Sequence, residues 1–140
     1  MDNPWISIIG VGEDGLAGFC AARQEALSNA DLVFGPPRHL ELVGVQVTRA
    51  RPWPVPFADG IDQVLAERGS GKQIAVLVSG DPFWFGGGTT LIRHLQEEEW
   101  VSIPAPSTFS WAASRLGWAL QSVSTFGLHA RSFETLIPHL

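Results

Sequence analysis

Gln73-Ile74-Ala75-Val76-Leu77-Val78-Ser79-Gly80-Asp81-Pro82 is the stretch that decides the fold. Its apolar run is continuous rather than alternating, the mark of a strand buried on both faces, as in a parallel sheet. Gly80-Asp81-Pro82 then stops it abruptly, because proline has no amide hydrogen to give a strand ladder. Residues 5–12 (WISIIGVG) have the same character and also stop at glycines, Gly10 and Gly12. Between these two strands, Leu16, Phe19, Cys20, Arg23, Ala26 and Leu27 recur at helical spacing and predict an amphipathic helix to about Ala30. Residues 31–35 read as a short strand ended by Gly35-Pro36-Pro37, 38–43 as a short helix and 45–48 as a third strand. Pro52, Pro54 and Pro56 predict an extended surface linker.

Further along, residues 59–68 predict a helix with Ile61, Val64 and Leu65 inward, and 89–99 another. Residues 101–104 read as a strand, and 107–116 as a helix capped by Ser107. Strand and helix thus alternate along the chain, with no internal repeat. The fold class that follows is α/β, a doubly wound, mostly parallel sheet with helices on both faces. In such sheets ligands bind beyond the carboxyl ends of the strands. Residues 126–129 look like one more strand, and 133–140 begin a helix without a C-cap. The expected division is an N-terminal α/β domain over 1–122, followed by a linker and the start of a truncated second α/β domain over 123–140.

Composition narrows the function classes. The 140 residues are 45% hydrophobic and 16% charged, with a formal net charge of -5 and a single lysine, Lys72. Phosphate affinity is supplied mainly by Lys and Arg, so a general nucleic-acid partner is not expected. No apolar run approaches the roughly 18 residues of a membrane span. Asp2 stands where a signal peptide would carry positive charge, which argues for a cytoplasmic setting. Cys20 is alone, and the four His show no metal-ligand spacing, so no disulfide and no metal are expected. Cys20 lies on the apolar stripe of the first helix and reads as a small core residue. No nucleophile elbow appears, and no catalytic residue is identified.

Three strand ends carry candidate sites. Gly10-Val11-Gly12-Glu13-Asp14-Gly15 fits a dinucleotide fingerprint in spacing, but its two carboxylates would face a diphosphate. A turn that simply needs glycine explains it as well. At Ser79-Gly80-Asp81-Pro82-Phe83-Trp84, glycine permits close backbone approach and Asp81 can accept from a cationic or hydroxylated ligand. Trp84 could stack on an adenine or face a sulfonium there; a core aromatic cluster is the alternative. Pro104-Ala105-Pro106-Ser107-Thr108 opens a helix whose free amides suit a carboxylate, and an ordinary N-cap would look the same. Lys72 precedes its strand instead of following a glycine loop, so a Walker site is unsupported. Arg38-His39 and His129 with Arg131 fall in or beside loops, where an anionic substrate would need them; Arg49 and Arg51 read as solvated, and Glu97-Glu98-Glu99 as a solvated helix end.

In order and spacing, I-I-G-V-G at 8–12, V-S-G-D-P-F-W-F-G at 78–86 and I-P-A-P-S-T-F-S at 103–110 together resemble the tetrapyrrole (corrin/porphyrin) methylase family. That family uses S-adenosylmethionine in a cleft between two α/β domains. Gly12-Glu13-Asp14-Gly15-Leu16, Phe34-Gly35 before Arg38-His39-Leu40, Pro82-Phe83-Trp84, and Leu128-His129 before Arg131 are similar to its branch that methylates precorrin-6Y at C5 and C15 with decarboxylation, in cobalamin biosynthesis. The resemblance implies cofactor contacts from Glu13, Ser79, Gly80, Asp81, Trp84, Ser107 and Thr108. It implies a tetrapyrrole substrate, with Arg38, His39, His129 and Arg131 the candidates for its carboxylates. It also implies that this fragment is inactive alone. Members of the family are often homodimers, although no stretch of this sequence reads as an interface. Another precorrin or a non-corrin acceptor stays open, as does a non-catalytic nucleotide-binding module.

Overall fold

A computed structural model of the chain describes residues 4–83 and 87–124. Five strands, β1 (Ile6–Val11), β2 (Leu32–Gly35), β3 (Ala50–Pro52), β4 (Ile74–Ser79) and β5 (Trp100–Ile103), form one sheet in the order β3-β2-β4-β1-β5. Every pairing is parallel; β1 lies along β4 from Ile6 opposite Ile74 to Val11 opposite Ser79. The helices between them are α1 (Ala21–Asn29), α2 (Pro37–Leu42), α3 (Phe57–Leu65), α4 (Gly88–Ile92) and α5 (Thr108–Leu116).

Strand side chains alternate between two cores, which is why the strand sequences read as unbroken apolar runs. Ile6, Ile8, Leu32, Phe34, Ile74, Val76 and Val78 point to one face, where Ile61 and Val64 of α3 and Leu91 of α4 cover them. Ile9, Val11, Val33, Ala75 and Leu77 point to the other, against Leu27 of α1 and Leu40 of α2. Helices on both faces of a parallel sheet are what the doubly wound reading requires. Among the described residues, no helix is long and apolar enough to cross a membrane.

Several sequence expectations need correction. The first helix does not begin at Leu16: residues Gly15–Gly18 form a 3-10 turn, and Cys20 is the N-cap of α1 with an extended backbone. This break takes Leu16 and Cys20 off the inward stripe, so Cys20 is exposed rather than a core residue. The third strand is Ala50–Pro52, not 45–48, so the proline stretch read as linker begins inside the sheet. Pro52 is tolerated because β3 is an edge strand. The helix expected over 89–99 is shorter, α4 ending at Ile92 and a separate 3-10 turn spanning Glu97–Glu99. Arg49 is not simply solvated; its Nη1 donates to the carbonyls of Leu27 and Ala30, at 3.0 and 2.7 Å, tying α1 to the start of β3. Nor is Glu99 a solvated helix end, since Trp5 Nε1 and Arg68 donate to it.

Candidate functional site

The chain leaves β1 toward β2 on one side of the sheet and leaves β4 toward β5 on the other. The carboxyl ends of these strands therefore open between connections that diverge, the place where ligands of open α/β sheets bind. All three glycine- or proline-rich turns singled out in the sequence converge here. The Gly80 amide donates to the Val11 carbonyl at 2.9 Å, and the Ala105 amide donates to the Gly80 carbonyl at 3.1 Å. A Cβ at Gly10 would run into the Gly80 carbonyl oxygen and the Ala105 amide nitrogen, so glycine is required for the turns to meet. Gly80 itself has φ +57, a left-handed conformation that glycine adopts without strain.

Arg23 fastens this junction from below. It is buried in α1, with Nη1 donating to the Gly10 carbonyl at 3.0 Å and Nη2 to that of Gly18 at 2.7 Å. Its guanidinium also lies 4.8 Å from the Phe19 ring centroid. Two charge-assisted bonds to backbone carbonyls fix the path of the first turn. Sequence reading placed Arg23 on the inward stripe without a role; an arginine there, one helical segment after G-x-G, was the available signal.

Around the junction the side chains have distinct roles. Ser79 ends β4 with an exposed residue surface, and its Oγ lies 3.1 Å from Nε2 of His39. Asp81 follows, accepting from the Phe83 amide at 2.9 Å through Oδ1. Ser107 caps α5, its Oγ accepting from the Ser110 amide at 3.1 Å, and Thr108 is exposed on the first turn of that helix. Glu13 and Arg38 form a two-pronged ion pair on the surface. The Arg38 guanidinium holds the Glu13 carboxyl below its ordinary range, and Glu13 in turn raises Arg38. His39, by contrast, is buried at 7% exposure, and burial followed by the Arg38 charge lowers its pKa. The structure thus brings together Glu13, Arg38, His39, Ser79, Gly80, Asp81, Ser107 and Thr108 around the turns at this end of the sheet. Trp84, His129 and Arg131 lie outside the described residues.

Among the described residues the turns carry Glu13, Asp14 and Asp81 against two cations, Arg38, which is paired with Glu13, and Arg23, which is bound to backbone carbonyls. That charge balance disfavours a diphosphate and suits a ligand that bears positive charge and hydroxyl groups. Among the described residues no group of His, Cys, Asp and Glu could hold a metal ion.

Known proteins share this sequence pattern and fold. The model of the Tetrapyrrole (Corrin/Porphyrin) Methylases matches residues 6–136. The decarboxylating precorrin-6Y C(5,15)-methyltransferase of Sinorhizobium sp is 43% identical over 139 residues, 99% of this chain and 33% of the relative. The cobalt-precorrin-7 C(5)-methyltransferase of Salmonella typhimurium is 28% identical over 96% of this chain and 67% of its own length. Among solved structures, the cobalamin biosynthesis precorrin-6Y methylase of Archaeoglobus fulgidus superposes with a TM-score of 0.70 at 30% identity, covering 87% of this chain and 63% of the other. The chain spans about a third of the length of the Sinorhizobium relative.

Proposed function

The chain belongs to the tetrapyrrole (corrin/porphyrin) methylases, and from that premise we propose that residues 1–122 are the S-adenosylmethionine-binding domain of a precorrin C-methyltransferase of cobalamin biosynthesis. The proposed acceptor is precorrin-6Y, at C5 and C15, as named for the relative at 43% identity. The observation that carries the reading is the convergence of the Gly10–Gly12, Ser79–Asp81 and Pro104–Thr108 turns at one end of the sheet, where Glu13, Asp14 and Asp81 outnumber Arg23 and Arg38.

The donor set fits S-adenosylmethionine. Asp81 supplies a carboxylate for its cationic part, and Ser79 and Thr108 supply hydroxyls. Glu13, Ser107 and Trp84 complete the proposed contacts. When bound, the cofactor supplies a methyl group already activated on a sulfonium. The protein's task is then alignment and exclusion of water, which can contribute roughly 7–11 kcal/mol, and no general base from these turns is needed. Arg38, His129 and Arg131 are the proposed contacts for substrate carboxylates, Arg131 because a guanidinium can bind one bidentately. The His39 ring is buried and so is not placed to meet a substrate carboxylate. The remainder of the cleft is proposed to come from a second domain. Another precorrin is the alternative acceptor, since the Salmonella relative is named for cobalt-precorrin-7.

Isothermal titration of S-adenosylhomocysteine, ATP and NAD into the chain, with Asp81→Ala as control, tests the cofactor. Selective binding of S-adenosylhomocysteine that weakens about tenfold or more in Asp81→Ala is expected, the loss of a charged hydrogen-bond partner. Tighter binding of ATP or NAD would overturn the reading.

A further inference from the structure

His39 sits on α2 beneath the end of β4, and its two ring nitrogens have unequal surroundings. Nε2 lies 3.1 Å from Ser79 Oγ, while Nδ1 is buried with no hydrogen-bond partner. A buried donor without an acceptor is the rarer and costlier arrangement, so the proton belongs on Nε2, leaving a bare lone pair at Nδ1. The doubly protonated ring would bury an unmatched N–H at Nδ1. Burial and the neighbouring Arg38 oppose that charge, and Glu13 offsets them only in part. With its proton on Nε2, His39 donates to Ser79 Oγ. The serine oxygen then accepts from below, and its own O–H is free to turn outward to the open end of the sheet.

We propose that His39 is a positioning residue: its neutral Nε2–H tautomer holds Ser79 Oγ so that the Ser79 hydroxyl donates to an acceptor oxygen or nitrogen of the ligand. In the opposite tautomer Ser79 would donate to His39 and present only an acceptor, matching a ligand N–H instead. The identity of the ligand rests on the cofactor-domain reading; the tautomer does not.

The test has two arms on the 140-residue chain. In the first, ring-nitrogen chemical shifts of 15N-histidine-labelled protein are recorded near neutral pH, the His39 signals being identified by their loss in His39→Gln. A neutral ring protonated at Nε2 is expected; a ring protonated at Nδ1, or an imidazolium, would overturn the proposal. In the second, S-adenosylhomocysteine is titrated into variants. His39→Leu and Ser79→Ala should each weaken binding about tenfold, one hydrogen bond's worth. His39→Gln, whose amide N–H can replace Nε2–H, should stay within about threefold of the parent. Parent-like affinity in Ser79→Ala, or in a folded His39→Leu, would overturn the positioning role, and Ser79→Ala carries that arm alone if His39→Leu does not fold. Failure of the parent to bind S-adenosylhomocysteine would sink the cofactor reading, and the ring shifts would still decide the tautomer.

Discussion

The two ends of the sheet use their polar groups differently. At the amino end, Trp5 Nε1 donates to Glu99 at 3.1 Å, Arg68 Nε to the same carboxylate at 2.7 Å, and Arg68 Nη2 to the His94 carbonyl at 2.9 Å. Asp31 likewise accepts from the Gln73 amide at 2.8 Å. These contacts tie together the segments that lead into β1, β4 and β5, and those that lead into β2 and β4. At the carboxyl end the backbone is joined just as tightly, by the Gly80, Val11 and Ala105 bonds and by Arg23. Yet Ser79 and Thr108 are exposed and Asp81 is half-buried, and among the described residues none of the three reaches across to another strand-end turn with its side chain. A closed side-chain network at one end and a rigid backbone with exposed polar residues at the other set a structural edge apart from the proposed binding edge.

Substitutions can break or sharpen that contrast. The largest effect is expected from Gly10→Ala, because its Cβ meets fixed backbone atoms of two other turns. Urea unfolding should show a loss of about 3 kcal/mol, or no cooperative fold at all. Arg23→Met should cost about 2–3 kcal/mol in the same assay, leaving the Gly10 and Gly18 carbonyls without their charged donor. Near-parent stability in either variant would mean that the carboxyl end is not rigid in the way described.

At the amino end, Glu99→Gln should lose about 1–2 kcal/mol, the range for hydrogen bonds to a charged, partly solvated group. The Arg68 guanidinium is the main cause that lowers the Glu99 pKa to about 2, with the Gln96 amide and the Trp5 indole assisting against some burial. A carboxyl held below its unfolded pKa contributes stability that is full above the ordinary range of 4.5 and lost as pH falls through the folded value. Melting temperatures of the parent should therefore fall between roughly pH 4.5 and 2, and the part of that slope due to Glu99 should vanish in Glu99→Gln. Ser107→Ala is the mildest, about 1 kcal/mol for a lost N-cap.

Much of the contrast was legible in the sequence, for identifiable reasons. Buried parallel strands leave unbroken apolar runs, so β1 and β4 could be read directly from 5–12 and 73–79. Ser107 declared its helix because an N-cap is a local interaction. The three strand-end turns stood out for their glycines and prolines. What the sequence hid were long-range pairings: Arg23 with the Gly10 carbonyl, His39 with Ser79, and Arg68 with Glu99 across 31 positions. Local spacing also misplaced β3, since Val45 and Val47 suit a strand while tertiary pairing to β2 selected Ala50–Pro52 instead.

Mapping backbone amide shifts of the labelled chain as S-adenosylhomocysteine is added tests the central claim, that ligand binding belongs to the carboxyl end alone. The account predicts shifts at Gly10–Asp14, Ser79–Asp81 and Ala105–Thr108, with Trp5, Arg68 and Glu99 unmoved. Shifts centred on Trp5, Arg68 and Glu99, with the three turns silent, would contradict it.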